Sequence, residues 1–140
     1  VCPEGWHLPS DAEWTQLETY LANNGYNYDG STGGDFIRDK IAISLASANG
    51  WNSSTNTGAI GNSKTAYDAF RNKSGFSALP GGYRHPSGAF YTIGIYGSWW
   101  GSTQVNANNA WHRYLDYSSG SVDRGSYGKV IGFSVRCLRD

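Results

Sequence analysis

The sequence predicts a single α+β domain, with two helices in the first third followed by short antiparallel strands. Three observations predict it. Apolar residues recur at helical spacing between Ser10 and Ala46. From Phe76 onward, short segments lie between Gly-containing turns, and one of them alternates cleanly with period two. The 140 residues contain neither a repeat nor a linker-like break, so helices and strands belong to one core spanning 1–140.

The first helix begins at Ser10, which Pro9 precedes and Glu13 follows three residues later as a capping box. Trp14, Leu17 and Leu21 make an apolar stripe that Tyr20 widens, and Asn23-Asn24-Gly25 ends the helix. A Tyr/Gly/Ser loop at 26–34 leads to a second predicted helix over Asp35–Ala46. Its residues Phe36, Ile37, Ile41 and Leu45 share a face, and Asn49-Gly50 stops it. Residues 49–75 are polar and weakly patterned and read as a long loop. Strands are expected at Phe76–Leu79, Trp111–Asp116 and Ile131–Leu138.

Composition narrows the function. There are 19 Gly, 21 aromatic residues (6 Trp, 10 Tyr, 5 Phe) and no Met, and 11 acidic side chains balance 11 basic ones. Zero net charge argues against a nucleic-acid partner. No apolar run approaches the ~20 residues needed to cross a bilayer, so the domain is not expected to insert in a membrane. The chain opens at Val1 and reads as an excerpt of a longer protein. Tyr and Trp supply contact area at low entropic cost, which suits a binding surface. The zero is a sum of opposites. Residues 1–70 hold 8 acids and 3 bases, a balance of −5, while residues 71–140 hold 3 acids and 8 bases, a balance of +5. The bases stand singly, so the expectation is that the two parts pack together and neutralise each other.

Two cysteines, Cys2 and Cys137, stand near the two ends. They are either unrelated buried thiols or one disulfide tying the termini together. An oxidising, extracytoplasmic or cell-surface setting, which this composition suits, favours the disulfide.

Catalytic and metal signals are weak. Gly58 to Thr65 only faintly resembles a phosphate loop, with Ser63 where Gly should precede Lys64. His7, His85 and His112 share no ligand spacing, so no zinc is expected. Asn27-Tyr28-Asp29-Gly30 starts like a calcium loop without its closing Glu; Asp29 or Asp35 is a weak calcium option. No nucleophile elbow is present, and two of the three Glu residues serve helix initiation. No enzyme, metal or cofactor is therefore expected.

Four ordered motifs carry a resemblance. They are Cys2-Pro3-Glu4-Gly5-Trp6-His7-Leu8-Pro9-Ser10 with Glu13-Trp14; Gly75 to Arg84; Trp99-Trp100-Gly101-Ser102-Thr103; and Gly132-Phe133-Ser134-Val135-Arg136-Cys137. Together they resemble the Fibrobacter succinogenes major paralogous domain of bacterial surface proteins, common in Bacteroidetes. That family is similar to the C-type-lectin-like fold of the formylglycine-generating-enzyme variety. The resemblance implies two helices flanking a small twisted antiparallel sheet, long loops and adjacent termini, with members usually extending upstream of the first motif. It does not carry over formylglycine chemistry, which needs active-site cysteines.

Between Tyr83 and Gly132, Trp99, Trp100, Trp111, Arg113, Leu115, Arg124 and Lys129 match the family pattern and read as structural. Between them stand His85, Tyr91, Ile95, Tyr96, Asn106, Asn108, His112, Tyr114, Asp116, Tyr117, Asp123 and Tyr127, the expected ligand-binding residues. Alternation sends Trp111, Arg113 and Leu115 inward and His112, Tyr114 and Asp116 toward solvent or ligand. This span has no Glu or Met, one Gln and one Lys. Codons ending in C or T produce that restriction, so the stretch looks like the variable region of a diversity-generating retroelement target. An ordinary polar β-face is the plainer account. The expectation is a non-enzymatic recognition module of a surface adhesin, lipoprotein, pilus tip or phage receptor-binding protein, meeting a protein or a cell-surface glycan. A conventional carbohydrate-binding domain is the alternative.

Overall fold

Ser10 starts helix α1 (Asp11–Asn23) with both halves of the capping box formed. Its hydroxyl accepts the Glu13 N–H at 3.2 Å, and the Glu13 carboxylate accepts the Ser10 N–H at 2.8 Å. Gly25, at φ 77°, ends the helix where the sequence places its stop. Of the stripe, Trp14 and Leu21 are buried and Leu17 is half-buried, whereas Tyr20 is 57% exposed. The residue that completes the buried face is charged: Glu18 is fully buried.

The computed structural model describes residues 1–140 and is α+β, with two helices and small antiparallel sheets. The second helix differs from expectation. Helix α2 covers only Ala42–Leu45, and residues 35–40 form turns. The carbonyls that would build its first turns are taken from outside. Lys40 accepts the Tyr28 N–H at 2.9 Å, and Arg38 accepts the Val122 N–H at 2.9 Å. The Ala42 N–H is likewise committed, donating to Gly120 at 3.0 Å. Phe36 is 73% exposed, so the apolar face it was expected to share does not exist there. Ile41, Ile43 and Leu45 nevertheless fill the core beside α1.

The 49–75 loop has one 3₁₀ turn (Thr65–Tyr67). It is packed down: Ala59, Ile60, Asn62 and Tyr67 are buried, and the Tyr67 hydroxyl accepts the Gly58 N–H at 3.0 Å. Of its calcium-like neighbour, Asn27 holds its own loop through Ser31 and the Gly33 carbonyl, and Asp29 pairs with Lys40 at 2.7 Å.

Strand β1 (Trp6–His7) pairs antiparallel with β7 (Leu138–Arg139), joining the two ends of the chain. Cys2 and Cys137 form a disulfide beside that pair, as fits a secreted or surface protein. No helix is long and apolar enough to cross a membrane. Strands β2 (Tyr83–Arg84) and β3 (Phe90–Tyr91) make a small hairpin. The main sheet is antiparallel, with β4 (Tyr96–Gln104), β5 (Asn109–Asp116) and β6 (Val122–Gly128) in sequence order and a bulge in β4 after Trp100.

Two expected strands are corrected. Phe76–Leu79 contributes a single bridge, Ala78 to Ala46, because Ser77 takes a positive φ of 57° and is tied to Asn72. Ile131–Leu138 is an extended strap rather than one strand. Gly132 bridges Arg84, Ser134 bridges Trp99 in parallel, and only Leu138–Arg139 reaches β1. The strap covers the free edge of β4, which would otherwise expose its pairing groups.

Candidate ligand-binding surface

Strand β5 presents two faces of opposite character, and alternation decides which side chain joins which. On the helix side Arg113 is wholly buried. Its Nε donates to Glu18 at 2.5 Å and its Nη1 to Asp11 at 2.7 Å. Arg124, opposite Arg113 in the register, donates twice to Asp11 at 2.9 Å and lies 3.4 Å above the Trp111 ring. The acidic first half and basic second half of the sequence meet in this cluster. Hydrogen bonds from Arg124, then Arg113, hold the Asp11 carboxyl down at about 2. Burial pushes Glu18 upward against the opposing pull of Arg113.

The other face carries the expected binding residues in cross-strand rows. Ser98, Tyr114 and Asp123 form one row; Trp100, His112 and Gly125 form the next; Tyr96 stands opposite Asp116 and Tyr127 opposite Ala110. The His112 and Tyr114 rings stack at 5.5 Å, and Tyr96 meets Tyr114 edge-on at 6.1 Å. The strap then lays Phe133 across this face, 4.8 Å from His112, 4.6 Å from Trp100 and 5.8 Å from Tyr127. The result is a pocket of about 360 Å³ whose walls include Tyr83, Tyr96, Tyr114, Tyr127 and Phe133.

Four expected binding residues line it: Tyr96, His112, Tyr114 and Tyr127. His112 was expected to face outward and is only 6% exposed, because Phe133 covers it and Gly125 lets it lie flat on β6. A Cβ at Gly125 would stand 2.8 Å from the imidazole. Burial lowers the His112 pKa, and its Nδ1 has no hydrogen-bond partner. Asp116 and Asp123 flank the lining on the same face. Burial first, then the Asp116 charge, raises the Asp123 carboxyl. Asp116 also raises the Tyr96 hydroxyl, and its Oδ1 accepts the Ser118 N–H and hydroxyl at 2.8 Å each.

The remaining expected residues lie around this centre. His85 and Tyr91 sit on the β2–β3 hairpin, where Tyr91 packs 5.6 Å from Tyr83 and His85 packs edge-on to Tyr91 at 6.1 Å. Ile95 and Tyr117 mark the other end, joined by a backbone bond of 3.0 Å. Asn106 and Asn108 belong to the β4–β5 turn. The Asn106 carboxamide accepts two backbone N–H groups at 2.9 Å, so it shapes the turn rather than the pocket.

Tyr83, Ser98, Gly125, Ser126, Ile131 and Phe133 also line the pocket and were not among the expected residues. Ser98 was within reach, since it lies two residues from Tyr96 on a strand. Phe133 carried no local signal, because its place depends on where the strap crosses the sheet. A larger groove of about 510 Å³ lies between α1 and the strap. It is lined by Trp14, Leu17 and Phe76, and its Glu13 is already engaged in the capping box. Gln16 and Arg136 also line it, and none of the expected binding residues does.

The sequence model of a family described as the Fibrobacter succinogenes major domain matches residues 1–139. No curated protein and no solved structure matches.

Proposed function

The chain belongs to the Fibrobacter succinogenes major domain family, and from that premise we propose that it is a non-enzymatic ligand-recognition module of a bacterial surface or phage protein. In this reading the fold is C-type-lectin-like, and the β4–β5–β6 face meets a protein or a cell-surface glycan. One observation carries it. The two faces of β5 divide into a buried ionic anchor around Arg113 and an aromatic, hydroxyl-rich pocket built from Tyr96, Tyr114, Tyr127 and Phe133. Rigid Tyr side chains among Ser, Gly and Asp on a braced sheet have the chemistry of an adaptable binding surface.

Diversification by a retroelement is the finer part of the proposal. It is supported by the codon-restricted composition between Tyr83 and Gly132 and by the outward setting of Tyr96, Tyr114 and Asp123. Codons ending at random at His85, Tyr91, Asn106, Tyr114 and Asp123 would remove it and leave the recognition reading intact. The carbohydrate alternative with a tryptophan platform has less support. Trp99 is buried, and Trp100 packs against Phe133.

The test is binding of the intact chain to arrays of glycans and bacterial surface proteins, beside a variant with Tyr91, Tyr96, Tyr114 and Tyr127 all replaced by Ala. A specific signal that falls at least tenfold, with the circular dichroism spectrum preserved, is the expected result. An equal signal from a folded variant moves the site off this face.

A further inference from the structure

We infer that the sheet pocket receives a cationic side chain, the ammonium of a lysine or the guanidinium of an arginine, presented by a protein partner. This deepens the recognition reading and rests on it.

Tyr83, Tyr96, Tyr114, Tyr127 and Phe133 present aromatic rings, whose faces carry negative partial charge and attract cations. No lysine or arginine lines it. The one residue in the lining that could compete as a cation, His112, is buried against Phe133 and Gly125, where burial disfavours its charged form.

Carboxylates complete the field. Asp123 stands directly across from Tyr114, and Asp116 directly across from Tyr96. Neither makes a salt bridge, and unlike the equally unpaired Glu4, Asp35 and Asp39 they stand beside the aromatic rings of the sheet face. Arg38, whose charge reaches Asp123, is instead within 3.8 Å of Glu18. Asp123 is thus a half-buried carboxylate with no salt bridge, at the edge of an aromatic pocket. A neutral sugar would leave that charge uncompensated, and an anion would meet repulsion. A primary ammonium or guanidinium satisfies the carboxylate while lying against the rings. About 360 Å³ accommodates one such side chain.

The experiment uses the intact isotope-labelled chain and five probes: acetyl-Gly-Lys-Gly-amide, its arginine counterpart, the Nε-acetyl-lysine and glutamate versions, and methyl glucoside. Backbone amide shifts of Ser98, Tyr114, Gly125 and Phe133 are followed by NMR. The lysine and arginine peptides are expected to shift these signals saturably, at least fivefold more tightly than the acetylated peptide. Asp123→Asn is expected to weaken them at least fivefold, with the rest of the spectrum unchanged. Equal affinity for the acetylated peptide, or an unchanged affinity in Asp123→Asn, overturns the inference. If methyl glucoside alone saturates these signals, the cation fails and the recognition face stands. If no probe shifts them, the cation also fails, and the tyrosine variant on the arrays then decides the recognition reading separately.

Discussion

Arg113 joins two stretches of chain that the sequence separates by more than ninety residues, because one guanidinium reaches both Glu18 and Asp11. A buried ion pair is weak evidence of net stability, but removing one partner strands the others. Arg113→Ala should therefore lower unfolding stability by about 3–5 kcal/mol, read by urea denaturation. Asp11 adds a pH signature. Its folded pKa is about 2 against an ordinary 3.8, so its stabilising contribution is complete above about pH 4 and is lost as pH falls toward 2. Asp11→Asn should flatten that acid limb in denaturation midpoints measured between pH 5 and pH 2. On the other face Gly125→Ala should displace the His112 ring, which a Cβ would approach to 2.8 Å. The expected readout is altered NMR shifts for His112 and Phe133 with the strands retained. Arg113 was legible as structural from its alternation with His112. The burial of His112 was not, because period-two patterning tells which face a residue takes and not what covers that face.

Helix α1 and strand β5 were readable for the same reason: each carries its own periodic pattern, and α1 carries its caps as well. The 35–46 segment has helical spacing yet forms only one short helix, because its carbonyls are claimed by Tyr28 and Val122. Local spacing cannot reveal that competition. The strap is the opposite case: the strand expected over residues 131–138 does not form as one element, because its bridges to Arg84 and Trp99 are isolated and long-range. Phe133→Ala tests what this element contributes. The ring is half-buried, so the cost should be about 1–3 kcal/mol, below the 3–5 of a fully buried Phe. The same variant should open the pocket and make the His112 imidazole titrate closer to its ordinary value, measured by NMR.

Across the whole molecule, the termini are joined three ways: by β1–β7, by Cys2–Cys137, and by His7, which contacts Asp140 at 2.5 Å and Glu13 at 2.8 Å. A disulfide closing so long a loop stabilises by up to about 5 kcal/mol in the chain-entropy model. Replacing both cysteines by Ser should cost up to that amount in denaturant unfolding. Hydrogen bonds from Asp140, then Glu13, raise the His7 pKa. A raised folded pKa means that His7 stabilises fully below its ordinary 6.5 and loses that contribution as pH rises through the folded value. The stability of the cysteine-free chain should decline over that window, and His7→Gln should remove the decline.

The sequence by itself determined the α+β class, the capped first helix, the alternation of β5 and the split of charge into two opposed halves. Each of these is written in neighbouring residues, through spacing, capping and the pleat of a strand. Only the tertiary structure decided that the second helix shortens, that His112 is covered, and that Phe133, Tyr83 and three strands enclose one pocket. Those outcomes come from contacts between distant segments competing for the same carbonyls and the same sheet face, a competition that no local pattern records.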